Sequence, residues 1–175
     1  MGYNRSRNTT WWDWSDELAP YVGKSAVTFC PKVTEFTAGQ LVVGNNCLMG
    51  GQDWAWRHKP PNGTVTYEGS YGLNEWCACP PAGVEEYWGY PTANAWRTVD
   101  VSGGDRIPMF LDSVYLDAYP THYDSPLTEE PPPYDWDSAK GDWYSQAMRL
   151  FCIDRHSGGV NCAWLDGHAG KIELK

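Results

Sequence analysis

A chain of 175 residues has the length of one domain, enough to bury roughly 70% of the surface that its unfolded form exposes. Thirteen Lys plus Arg against 22 Asp plus Glu leave a net charge of −9, with the basic residues scattered rather than striped, which excludes nucleic acid or an anionic membrane surface as the partner. Aromatic residues make up 15% of the chain, with 11 Trp and 11 Tyr, which excludes a disordered or low-complexity segment.

Residues 1–10 are polar and without periodicity, and read as an irregular start before a single domain over 11–175. Ser15 as a cap, acids at Asp16 and Glu17 and a stop at Gly23 predict a short helix that turns Leu18 and Tyr21 or Val22 inward. Ala26–Cys30 reads as a strand closed by Pro31, and the Gly- and Asn-rich stretch 32–63 as loop. Strand patterns return at 64–67, 70–74, 97–101 and 108–112. The acidic segment 119–142, with Glu129-Glu130-Pro131-Pro132-Pro133, reads as a surface loop because proline withdraws donors from a sheet. Leu150–Arg155, a Gly158-Gly159 turn, Val160–Leu165, an Asp166-Gly167 turn and Lys171–Leu174 predict consecutive hairpins. The fold class is therefore α+β with an antiparallel sheet. Apolar runs such as Leu41-Val42-Val43 stop far short of the roughly 20 residues that cross a bilayer.

Six cysteines, Cys30, Cys47, Cys77, Cys79, Cys152 and Cys162, are disulfide candidates that point to an oxidising compartment; Cys152 and Cys162 flank a glycine turn and could bridge neighbouring strands, but the pairing among the six stays open. Cys77-Ala78-Cys79 lacks the spacing of a zinc knuckle. Of the four histidines, His58 and His122 read as surface residues, whereas His156 and His168 bracket the terminal hairpins with Asp166 between them. Asp112, His156 and Asp166 form a candidate set for a divalent ion; alternatively Asp166 shapes its own turn and His156 fixes the preceding one. On the turn reading, Asp166→Ala is expected to destabilise the fold. No Gly-x-Ser-x-Gly elbow and no phosphate-binding glycine loop occurs, and Glu85-Glu86 or Glu129-Glu130 read as solvated surface rather than a glycosidase pair.

The stretch from Arg155 to His168 carries a His, nine intervening residues and then Asp-Gly. It resembles the signature of the prepilin-type processing-associated family, type II secretion G-type pseudopilin-like and type IV pilin-like proteins. Arg155, His156, Asn161, Asp166, Gly167 and His168 match the family pattern. Trp14–Val22, Phe29-Cys30-Pro31, Ser70-Tyr71-Gly72-Leu73-Asn74 and Ile107–Ser113 resemble further segments of that family in the expected order, so that the likeness extends from about Trp11 to the end of the chain. The resemblance implies the head domain of a pilin-like subunit, in which an antiparallel sheet packs on an N-terminal helix. Its partners would be other pilin-like subunits or secretion machinery, on the periplasmic or extracellular face, with a membrane contact only through an N-terminal anchoring helix. Met1-Gly2-Tyr3-Asn4 contains no such helix, so the chain is expected to be the head of a longer protein, and the helix largely missing. G-type pseudopilins also bring calcium into consideration as an ion.

Three functions compete. A structural and assembly role, not an enzyme and without catalytic residues, follows from the resemblance. An extracellular glycan- or ligand-binding module would use exposed Trp and Tyr, such as Trp54, Trp56, Trp88 and Trp96. A hydrolase using His156 and Asp166 has no accompanying nucleophile in the sequence.

Overall fold

The computed structural model describes residues 14, 18, 20–21, 28–33, 42–43, 47–59, 66–80, 82–87, 90–122, 124, 147–151 and 153–174. Within them the protein is mostly β. Four short strands, β1 (Val42–Val43), β2 (Cys47–Leu48), β3 (Trp56–His58) and β4 (Tyr67–Gly69), form one antiparallel sheet in sequence order. The main sheet contains β5 (Tyr71–Asn74), β8 (Pro108–Asp112), β9 (Asp117–Ala118), β10 (Gly159–Trp164) and β11 (Ala169–Glu173), in the order β11-β10-β8-β5-β9. Its pairings are antiparallel except that between β5 and β9, which is parallel. A third pair, β6 (Glu86–Tyr87) with β7 (Tyr90–Pro91), stands apart.

Strand β8 spans the predicted 108–112 because Met109-Phe110-Leu111 are apolar and Pro108, which has no N–H to donate, sits at the strand's first position. Leu111 pairs with Gly72 on one side and Cys162 on the other, and Phe110 with Leu73 and Ala163. Alternation thus sends Leu111, Val160 and Cys162 to one face, where they pack with Val114, Leu150 and Phe151. Phe110 and Leu73 face the other side, against Trp14 and Trp56. Gly72 is required by close packing: a Cβ there would lie 2.6 Å from the Tyr115 carbonyl oxygen and 2.7 Å from Ser113 Oγ. Gly72→Ala is accordingly expected to cost about 1–3 kcal/mol, read as a lowered denaturant midpoint; an unchanged midpoint would show that the crossover at Tyr115 yields freely.

The Asp166-Gly167 hairpin forms as expected, with β10 and β11 in register from Gly159↔Glu173 to Ala163↔Ala169 and Gly167 at φ 92°. Other expectations are corrected. Residues 153–158 are irregular, so β10 takes β8 rather than 150–155 as its second neighbour. The 97–101 segment is a loop, exposed over 97–100, because among the described residues Val99 and its neighbours find no partner strand. The stretch 32–63 contains β1, β2 and β3 despite its glycines. Thr28 to Cys30 are not strand; Thr28 instead offers its carbonyl to the N–H of Ser70, which precedes β5. Trp14, Leu18, Pro20 and Tyr21 are helical as expected, but Tyr21 is 72% exposed and points away from the core. The proline-rich stretch 125–146, Val22 and Cys152 lie outside the described residues.

Three of the 11 indoles tie distant stretches of chain together. Trp14, Trp56 and Trp76 donate their Nε1–H to the carbonyls of Leu116 (2.7 Å), Tyr71 (3.1 Å) and Pro120 (2.6 Å). Trp14 and Trp56 bury their rings and Trp76 half-buries its own, while the polar tip of each holds a chain crossing. Trp76 also meets Tyr90 and Tyr119 edge-on, and these two tyrosines stack at 4.9 Å.

Candidate functional site

The β-register sets the site. Tyr71 of β5 lies directly opposite Asp112, the last residue of β8. On the other side the Cys162↔Leu111 pair places Asn161 beside Asp112, and the Asn161 backbone N–H donates to Asp112 Oδ2 at 2.6 Å. Ser70 and Ser113 flank these strand ends and bond each other, with the Ser113 N–H donating to the Ser70 carbonyl at 2.8 Å.

The C-terminal turn carries the cation into this polar end. Ser157 and Gly158 both have positive φ, 52° and 83°, and Asp154 Oδ1 accepts the Gly158 N–H at 2.7 Å. The tight turn leaves Arg155 pointing inward. All five guanidinium N–H groups then have an acceptor. Nε donates to the Gln52 carbonyl (3.2 Å), Nη1 to the Ser70 carbonyl (2.5 Å) and Asp112 Oδ1 (3.2 Å), and Nη2 to the carbonyls of Gly51 (2.8 Å) and Ser113 (2.9 Å). Both side chains of the ion pair are inaccessible to solvent. Burial lowers the proton affinity of Arg155, and the Asp112 carboxylate beside it pulls in the opposite direction.

Around the outer oxygen of Asp112 gather three further groups. His156 Nε2 lies 3.1 Å from Asp112 Oδ2, 3.2 Å from Cys30 Sγ and 3.0 Å from Asn161 Nδ2. Cys30 is fully buried, its N–H donates to Ser70 Oγ at 2.5 Å, and the Tyr71 hydroxyl bonds both Cys30 and Asn161. Burial pushes the Cys30 thiol up; it also pushes the Tyr71 hydroxyl up, to about 12, and in both the Asp112 charge acts in the same direction. Thr28, Tyr71, Asn161, Ala163, Trp14 and Leu18 line a groove of about 600 Å³ over the same face of the sheet, so Tyr71 and Asn161 belong to groove and cluster alike.

Of the residues singled out in the sequence, Arg155, His156, Asn161 and Asp112 come together. Asp166, Gly167 and His168 do not join them. They form the exposed β10–β11 turn, where Asp166 Oδ1 accepts from His168 at 2.6 Å, which holds its carboxyl below the usual range, and the imidazole stacks on Trp164 at 4.2 Å. The candidate ion set Asp112, His156 and Asp166 is thus not assembled: Asp166 is taken up by its own turn, and Cys30 stands third beside Asp112 and His156. The sequence offered Cys30 as a disulfide candidate and as part of the family-like segment Phe29-Cys30-Pro31, not as a metal ligand. Cys30, Cys77, Cys79 and Cys162 are free thiols, and the side chain of Cys47 lies outside the described residues. His122 is exposed as expected, whereas His58 is half-buried on β3.

A cysteine, a histidine and an aspartate in contact suggest a nucleophilic relay, but the geometry does not form one. Thiol and carboxylate approach the same ring nitrogen rather than opposite ones, and the thiol is held in its neutral form. Neutral burial has a consequence for alkaline stability. Cys77 and Cys162 are pushed from 9.0, and Tyr71 from 10.0, to about 12. Each is raised in the fold, so the stability it contributes is fully present below its unfolded value and is lost as pH rises through the folded one. Melting temperatures are therefore expected to fall between pH 9 and about 12; a flat profile over that window would contradict the burial of these groups.

Among the described residues, no helix is long and apolar enough to cross a membrane. No protein-family model, curated protein or solved structure matches the chain.

Proposed function

We propose that the chain is the structural head domain of a pseudopilin-like subunit, a periplasmic or extracellular assembly protein that packs with other pilin-like subunits or with secretion machinery. One observation carries this reading. The segments that resemble the prepilin-type processing-associated family lie far apart in sequence, yet Cys30, Ser70-Tyr71, Asp112-Ser113 and Arg155-His156 meet at one buried polar cluster. A shared signature whose members hold one another by backbone carbonyls and a buried ion pair supports a scaffold that must keep its shape. The sheet of β5, β8, β10 and β11, with Trp14 and Leu18 laid over it, is compatible with a pilin-like arrangement of helix on sheet.

The glycan-binding alternative loses one of its four named indoles. Trp56 is fully buried, Trp54 and Trp96 are half-buried, and Trp88 lies outside the described residues. The test of the pilin-like reading is genetic and biochemical. The gene sequence immediately upstream of Tyr3 should encode a basic leader and an apolar helix, and co-expression with a prepilin peptidase should shorten the product. A gene that starts at Met1 and a product that stays in the cytoplasm would overturn it.

A further inference from the structure

We propose that Cys30, Asp112 and His156 form a binding site for a divalent transition-metal ion of the Zn²⁺ class. This goes beyond the assembly role and does not depend on it. One donor atom from each residue, Sγ, a carboxylate oxygen and an imidazole nitrogen, lies within 4.8 Å of the other two. The side chains come from three distant stretches of chain and are held by the Arg155 hub, so the site is built by the fold rather than by a local motif.

Hydrogen bonding alone leaves this cluster over-subscribed. His156 Nε2 has a thiol, an amide nitrogen and a carboxylate oxygen all within 3.2 Å. A ring nitrogen offers either one proton or one lone pair. With a proton it serves Asp112 or the Cys30 sulfur, and the Asn161 amide N–H points a donor at a donor. With a lone pair it serves the Asn161 amide or the Cys30 thiol and faces the lone pairs of Asp112. A cation at the point of convergence resolves the conflict, because thiolate, imidazole and carboxylate can all direct lone pairs at it.

The donor set selects the ion. One sulfur, one nitrogen and one carboxylate oxygen suit Zn²⁺, Co²⁺ or Ni²⁺, whereas Ca²⁺ requires six to eight oxygens. Asp112 Oδ1 is held by Arg155 and Oδ2 by the Asn161 N–H, which fixes the carboxylate and leaves a lone pair of Oδ2 toward His156. The Cys30 thiolate and Asp112 carboxylate bring two negative charges to a divalent ion, and the Arg155 guanidinium, still bonded to four backbone carbonyls, leaves the loaded cluster with one net positive charge. Three protein ligands leave a fourth position beside Asn161 and Tyr71, both of which line the groove. Since Cys30 is a neutral thiol in the metal-free protein, binding breaks the S–H bond, forms the metal–sulfur bond and releases one proton to solvent.

Titration of the reduced full chain with Co²⁺ tests this. The expected result is a thiolate-to-Co²⁺ charge-transfer band with the intensified visible bands of a four-coordinate site, saturating at one equivalent, displaced by Zn²⁺ and unaffected by excess Ca²⁺. Cys30→Ser should abolish the charge-transfer band and weaken binding by at least the roughly 10–100-fold seen on losing an outer-shell partner, while Cys79→Ser leaves both unchanged. X-ray absorption of the Zn²⁺-loaded wild type needs no variant and should give one sulfur at about 2.3 Å among nitrogen and oxygen neighbours. The proposal is overturned if the folded wild type gives no charge-transfer band, if the band survives in Cys30→Ser, or if absorption shows no sulfur or more than one.

Discussion

Arg155→Met is expected to lower the stability of the protein by about 3–5 kcal/mol, the range for removing one partner of a buried ion pair. The substitution strands Asp112, whose side chain has no solvent access, and takes donors from the carbonyls of Gly51, Gln52, Ser70 and Ser113 at once. Against a total of about 5–15 kcal/mol for a natural domain, the loss is a fifth or more of the stability. Arg155→Lys should recover little of it, since three donors on a single ammonium cannot span five acceptors arranged around a planar fork. The double variant Arg155→Met, Asp112→Leu should be less damaged than the two single costs added together, because it leaves no uncompensated charge. Urea unfolding followed by circular dichroism measures each value. A midpoint for Arg155→Met equal to that of wild type would refute the hub.

Trp56→Ala should be comparably severe. The ring is fully buried, meets Trp14 at 6.4 Å between ring centres, and packs so closely on β4 that a Cβ at Gly69 would come within 2.7 Å of it. Truncation opens a cavity between the two sheets and removes the donor for the Tyr71 carbonyl, for a cost of about 3–5 kcal/mol. In a domain of this size that corresponds to a melting temperature lower by about 6–20 °C. Trp54→Ala, at a half-buried position, should cost distinctly less; equal losses at the two positions would show that the burial of Trp56 does not govern its contribution.

The parts of the fold that the sequence made legible are those governed by local rules. Asp166-Gly167 between apolar alternations fixes its hairpin because Gly167 accepts positive φ and the alternation has one buried face. Pro108 followed by three apolar residues marks β8 with its observed ends. The short strands β1 to β3 escaped notice because two or three residues carry no period, and their pairing is settled by the sheet they join. Residues 97–101 failed in the opposite way: a β-like composition without a neighbour remains a loop.

For the site, residue type was more informative than spacing. Asp112 at the end of an apolar strand and Arg155 before a glycine turn are costly to bury singly, and each is the reason for the other. Cys30 could not be tied to His156, 126 residues away, by any periodicity. Its only signal was membership of the same set of family-like segments as Ser70-Tyr71 and Asp112-Ser113. Asp166 misled because a side chain that serves its own turn looks, in one dimension, like a ligand next to a histidine.

The Arg155 hub also dictates an order of events during folding. Its bonds to Gly51, Gln52, Ser70, Asp112 and Ser113 close loops of 104, 103, 85, 43 and 42 residues. Such distant closures slow the search for the native state, because chain entropy is lost before contacts compensate for it. On the ribosome β5 and β8 emerge well before Arg155, and until it arrives Asp112 has no cation and β8 is the edge of an unfinished sheet. The nascent chain therefore carries an exposed strand edge until β10 is made, and any product that ends short of β10 should be prone to pair with its neighbours rather than fold.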